Sequence, residues 1–132
     1  MRTEKYRQLI DVHLLHRVWQ SELDIALQEV NFWEVLLNSL HADTEPAPSA
    51  RDEAWKTELA QLHHFRRLIK RLQEEMQQLD EQIAAGVRVD HVLDTDSRLT
   101  HQYVQTEMDS FHADFRVFKT EIRQYITAQP TF

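Results

Sequence analysis

The sequence predicts an all-α protein, an antiparallel up-down-up bundle of three long helices. Three observations predict it. Apolar residues recur in alternating steps of four and three along three long segments. Period-two alternation is absent, so strands are not credible. Residues that stop helices are confined to two short breaks and the tail: Pro46 and Pro48 lie within Asp43 to Ser49, Gly86 opens a break that closes near Asp96, and Pro130 ends the last segment.

The first helix is expected over roughly residues 4–42, because Val12, His16, Trp19, Leu23, Ala26, Val30, Trp33, Leu37 and Leu40 form an unbroken heptad seam before the prolines disfavour helix. The second is expected over roughly 50–85, from an N-cap at Ser49 to a C-terminal stop at Gly86. Its seam is Trp55, Leu59, Leu62, Phe65, Ile69, Leu72, Met76, Leu79 and Ile83. The third is expected over roughly 96–127, capped by Asp96 or Ser97, with His101, Val104, Met108, Phe111, Phe115, Phe118, Ile122 and Tyr125 as its seam. Short connections make consecutive helices antiparallel, and near-3.5 periods favour shallow crossing angles. The whole chain, 1–132, reads as a single helical-bundle domain with coiled-coil character. Phe32, Leu36 and Leu68 lie beside the seams, where they either widen the core stripe or form a dimer face.

Composition removes several kinds of chemistry. At 132 residues, with 42% apolar and 28% charged, the chain has a globular balance. A single glycine excludes a Walker loop or a dinucleotide fingerprint, which need several glycines to bring backbone N–H groups to phosphate. With no cysteine there is no disulfide, thiolate metal site, iron–sulfur cluster or thiol nucleophile. The polar opening Met1 to Gln8 is unlike a signal peptide and no run is long enough to span a bilayer, so a soluble cytoplasmic protein is expected. With 15 Lys and Arg against 22 Asp and Glu, the formal charge of −7 repels nucleic acid and anionic lipid. The expected partners are a protein or a second copy of the chain, with neither nucleic acid nor membrane.

Two seam positions that call for apolar residues hold His16 and His101. Reflecting the chain through its two breaks sets position 16 level with about 75 and then about 106, to within about a helical turn. On that scale His16 and His101 share a layer, with His13 nearby. The same reflection sets Glu22 beside His112 and Glu29 level with His63 and His64. Histidines and glutamates projecting from facing helices are the ligand set of zinc and di-iron bundles, so His16, Glu22, Glu29, His64, His101 and His112 form a candidate metal set for zinc, iron or manganese. The Glu-x-x-His spacing of ferritin-like sites is missing, and Asp109 with His112 is the only acidic analogue. Two readings without a metal stand beside it. A polar seam layer fixes helix register at some cost in stability, and histidines buried neutral make acidification destabilising.

The one basic cluster, His63 to Arg71, carries Phe65 and Ile69 inward and is followed by Glu74 and Glu75, so it reads as a salt-bridged face with Arg71–Glu75 and Lys70–Glu74 pairs. Trp19, Trp33, Trp55, Phe111, Phe115 and Phe118 are at core spacing. No serine elbow, glycine-rich oxyanion turn or pair of loop carboxylates is visible, so no catalytic residue is assigned and a non-enzyme is favoured. Metal-dependent catalysis would require an ion with an open coordination position.

The segment His16-Arg-Val-Trp19-Gln-Ser-Glu22-Leu23, then Glu29, His64-Phe65, and His101 with Met108, Phe111, Phe115 and Tyr125 resemble a group of small bacterial all-helical proteins of unknown function. The shared pattern is His-x-x-Trp-x-x-Glu-Leu in the first helix and His-Phe in the second, and the likeness runs over most of the chain. The proline-bearing first loop and the polar opening of the third helix depart from it. The resemblance implies a helical bundle and no particular activity, substrate or cofactor. The expected function is accordingly a protein-interaction or structural module with a buried His/Glu layer, the alternative being a metal-binding bundle.

Overall fold

The computed structural model describes the backbone of residues 2–43, 50–90 and 95–128, and the side chains of 7–40, 53–87 and 95–128. Three α-helices follow one another, α1 (Arg2–Asp43), α2 (Ala50–Asp90) and α3 (Thr95–Thr127), with no strand among the described residues. The protein is an all-α three-helix bundle. Its 42-residue α1 is about 63 Å long at 1.5 Å per residue. Cross-helix pairs give the directions. As numbers rise along α1 they fall along α2, in Asp24 with Gln73 and Asn31 with Arg66. They rise together on α1 and α3, in His16 with His101 and Glu29 with Lys119. Helix α2 packs against both neighbours.

The seams meet as the periodicity requires. Leu23, Val30 and Leu37 of α1, Leu62, Ile69, Leu72, Met76 and Leu79 of α2, and Val104, Met108 and Ile122 of α3 are fully buried. Phe65 lies among Phe111, Phe115 and Phe118, its ring 4.9 to 6.4 Å from theirs at tilted or edge angles, a favourable arrangement for aromatic quadrupoles. Burial concentrates on one line of each helix because the four-three repeat keeps that line facing the neighbours as they supercoil. At the end of α3 the core continues through Ile126, while Tyr125 packs half-buried beside it.

The expected stop at Gly86 is corrected: α2 runs through it to Asp90, and Gly86 is half-buried inside the helix. Glycine weakens a helix interior by about 0.5–1 kcal/mol relative to alanine, too little to end a helix whose flanking residues Ile83 and Val87 are partly buried. Helix α3 begins at Thr95, so Asp96 and Ser97 fall within its first turn rather than at the cap. Pro46, Pro48, Ser49 and Pro130 lie outside the described residues. Among the described residues no helix is long and apolar enough to cross a membrane.

Candidate functional sites: a buried histidine layer and an uncovered stripe

The two seam histidines meet. His16 is 1% exposed, and both of its ring nitrogens are engaged: Nδ1 lies 2.5 Å from Asp80 Oδ1, and Nε2 lies 2.9 Å from Nδ1 of His101. The Gln20 amide donates to the other Asp80 oxygen at 3.1 Å. The rings stack on Trp19, with centroids at 5.4 Å for His16 and 5.6 Å for His101. One layer thus joins all three helices in the chain Gln20, Asp80, His16, His101. Because a carboxylate only accepts, His16 Nδ1–H donates to Asp80, and a single proton lies between His16 Nε2 and His101 Nδ1. Burial, and next the charge of His16 beside it, hold His101 below the usual histidine pKa.

The other candidate ligands are distributed elsewhere. Glu22 and His112 do pair across α1 and α3, as the reflection predicts. Glu29 does not reach His63 or His64: it takes Lys119 at 3.4 Å, while Lys119 also sits over the Phe115 ring at 5.2 Å. His63 bonds instead to Glu34 at 3.3 Å, and His64 is exposed with its ring against Phe65. The six residues therefore fall into two pairs, His16 with His101 and Glu22 with His112, and two single positions, Glu29 and His64, and among the described residues no three His, Asp or Glu side chains are grouped to hold a metal ion. Spacing missed Asp80, the acidic member of the buried layer. It stands one position past the seam residue Leu79, a signal present in the sequence, but the reflection set His16 just over a turn short of it. The layer is His/Asp, not His/Glu.

Of the two pairs expected in the basic cluster, Arg71 with Glu75 forms and Lys70 with Glu74 does not. Arg66 bonds to Glu34 and to Asn31, the latter at 2.9 Å. Arg71 reaches Glu107 at 3.1 Å and Glu75 at 3.7 Å. The Arg66 hydrogen bond, outweighing burial, holds Glu34 below the usual carboxylate pKa. Beside the histidine layer, α1 and α2 part over a groove of about 530 Å³ with Leu9, Val12, Ile83, Ala84 and Val87 as its apolar walls and Asp80 at its polar edge.

A second feature lies on the outside of α1. Leu14, Val18, Ile25, Phe32 and Val35 are between 53% and 68% exposed. Together with the exposed Ser21 and Gln28 they step four, three, four, three, four, three along the helix, a second heptad line turned away from the core. Leu36 and Leu68, by contrast, pack against the core and widen it. Of the three residues considered for a dimer face, Phe32 alone is exposed. The wider stripe was legible in the sequence, since its alternation is as regular as that of the inner seam.

Compared with family models, curated proteins and solved structures, the chain matches none.

Proposed function

We propose that the protein is an interaction module: a three-helix scaffold, held in register by its buried His/Asp layer, that offers the outer stripe of α1 to a helix of another molecule. The observation that carries this reading is the stripe itself. Scattered exposed apolar residues are ordinary, but five large ones on a seven-residue repeat form a line that fits a partner helix. From Leu14 to Val35 the stripe runs about 32 Å, and at a helix width of about 10 Å it covers some 300 Å², at the size where apolar patches on monomers are often functional. No Asp or Glu occupies its heptad positions, although the chain carries 22 of them.

The buried layer supports the scaffold role. A hydrogen-bonded polar group in a seam loses its partners if one helix slides by a turn, so it disfavours other registers even where it adds little stability.

The test replaces Ile25 and Phe32 together by glutamate and follows mass by sedimentation over a range of concentrations. Both side chains are exposed, so helicity and melting temperature should hold within the small effect of surface changes, about 0.5 kcal/mol each. The wild type should associate as concentration rises and the double variant should stay monomeric. A double variant that associates as strongly as the wild type would place the contact elsewhere and overturn the reading.

A further inference from the structure

Independently of the stripe on the outside of α1, we infer that the groove between α1 and α2 binds a small molecule with an apolar body and a protonated amine, the amine resting on Asp80. The seams are closed as far as the histidine layer: Leu23 and Leu79 are fully buried and His16 is 1% exposed. Beyond it the next seam residues, Val12 on α1 and Ile83 on α2, are only partly buried. The helices part there, and both side chains become walls of the groove of about 530 Å³. Positions that the four-three repeat makes apolar for a core thus face a space that no described side chain fills. Ligand pockets typically enclose about 300–1,000 Å³ and are mostly apolar with a few placed polar groups. Leu9, Val12, Ile83 and Val87 supply the apolar wall here, and Asp80 the charge.

Asp80 sets the sign of the ligand. His16 Nδ1–H donates to its Oδ1 at 2.5 Å and the Gln20 amide to its Oδ2 at 3.1 Å, so the carboxylate is fixed before anything binds. A carboxylate has about four acceptor positions; each oxygen therefore keeps capacity for a further donor, and the side chain is 37% exposed. Among the described residues lining the groove there is no Lys or Arg to neutralise it, and the other titratable group is the exposed His13. An ammonium group gains a charge-assisted hydrogen bond, about twice as strong as the neutral bond an alcohol would make. An anion is repelled both by Asp80 and by the net charge of −7.

The wall also sets the size. From Asp80 to Val87 it runs about 10 Å along α2, the length of a zigzag alkyl chain of about eight carbons. A partner helix fits less well, because it needs an apolar line several turns long and this wall has two.

The probe is n-octylamine at pH 7.5, where an alkylamine is protonated, with n-octanol and octanoate as neutral and anionic molecules of the same length. Binding is read from the methyl resonances of Val12, Ile83 and Val87, with those of Leu14, Val18 and Ile25 on the outer stripe as controls. Octylamine should shift the groove methyls to saturation, about tenfold tighter than octanol, and octanoate should bind weakest. Asp80→Asn keeps an oxygen that accepts from His16 and should reduce the amine to the affinity of the alcohol. Ala84→Phe, at an exposed position on the groove wall, should block both without loss of helicity. Equal binding of the three probes, or an undiminished preference for the amine in Asp80→Asn, would overturn the assignment of Asp80. Octylamine shifts confined to the stripe, or no shift at the groove, would overturn the site itself.

Discussion

A histidine at a heptad position invites a ligand, and at the scale of single residues the first question is what His16 gains from its neighbours. Its two nitrogens are matched by Asp80 and His101, and its ring by Trp19, so its polar atoms are satisfied where a seam normally holds only carbon. The consequence is unequal costs of substitution. His16→Leu alone strands His101 Nδ1 in a partly buried site and should cost about 1–3 kcal/mol. Replacing His16 and His101 together by leucine leaves only the partly exposed Asp80, which water can solvate, so the double variant should be no less stable than the single one by chemical denaturation. Strict additivity of the two replacements would contradict a coupled pair. The pH response has a definite sign. His101 titrates lower in the folded protein than in the unfolded chain. Stability from this group is therefore complete above the ordinary value of about 6.5 and is lost as pH falls through the folded pKa. Melting temperature should drop on acidification from pH 7, and His101→Gln should flatten that part of the profile. An unchanged slope in the variant would assign the response to other groups. His16 and His101 were legible as polar seam positions. Asp80 was not, because the break between α1 and α2 sets their relative level and its residues carry no periodicity.

At the scale of the element, the central stretches of the inner seams were legible, since the same four-three spacing that makes a helix bury one line also makes that line visible in the sequence; at the end of α3, Ile126 is buried where Tyr125 was expected. Two features of the helices were harder to read. Gly86 looked like a terminator, and its local cost is real, but helix propensity is a weak term against packing of the turns on either side. If it stands in a helix interior, Gly86→Ala should stabilise the protein by about 0.5–1 kcal/mol, visible as a higher denaturation midpoint with an unchanged slope. A loss of stability would show that the position needs a conformation or a closeness that alanine cannot take. Helix α1 is the other case. Its apolar residues lie on two lines, and once the inner seam is assigned the outer one is easily absorbed into a wide core stripe. Leu36 does belong there; Val18, Ile25 and Phe32 do not. Only the position of α3, which leaves that side of α1 uncovered, separates the two lines.

For the molecule as a whole, the level of each residue across the bundle matters more than its spacing along one helix. The reflection of the chain placed Glu22 at His112 but left His16 more than a turn short of Asp80, because each break shifts one helix against the next by an amount that composition does not state. The same whole-molecule view governs association. Each copy carries −7, and this charge acts over the Debye length, about 10 Å at 0.1 M salt, whereas the proposed contact along α1 is apolar and would act only at closure. Long-range repulsion and short-range burial therefore respond oppositely to ionic strength. Raising salt from about 0.05 M to about 0.5 M screens the repulsion and leaves the apolar contact intact, so the dissociation constant should fall severalfold, as read by sedimentation equilibrium. If it rose instead, the copies would be held by ion pairs between them, and the stripe would not be the main source of the attraction.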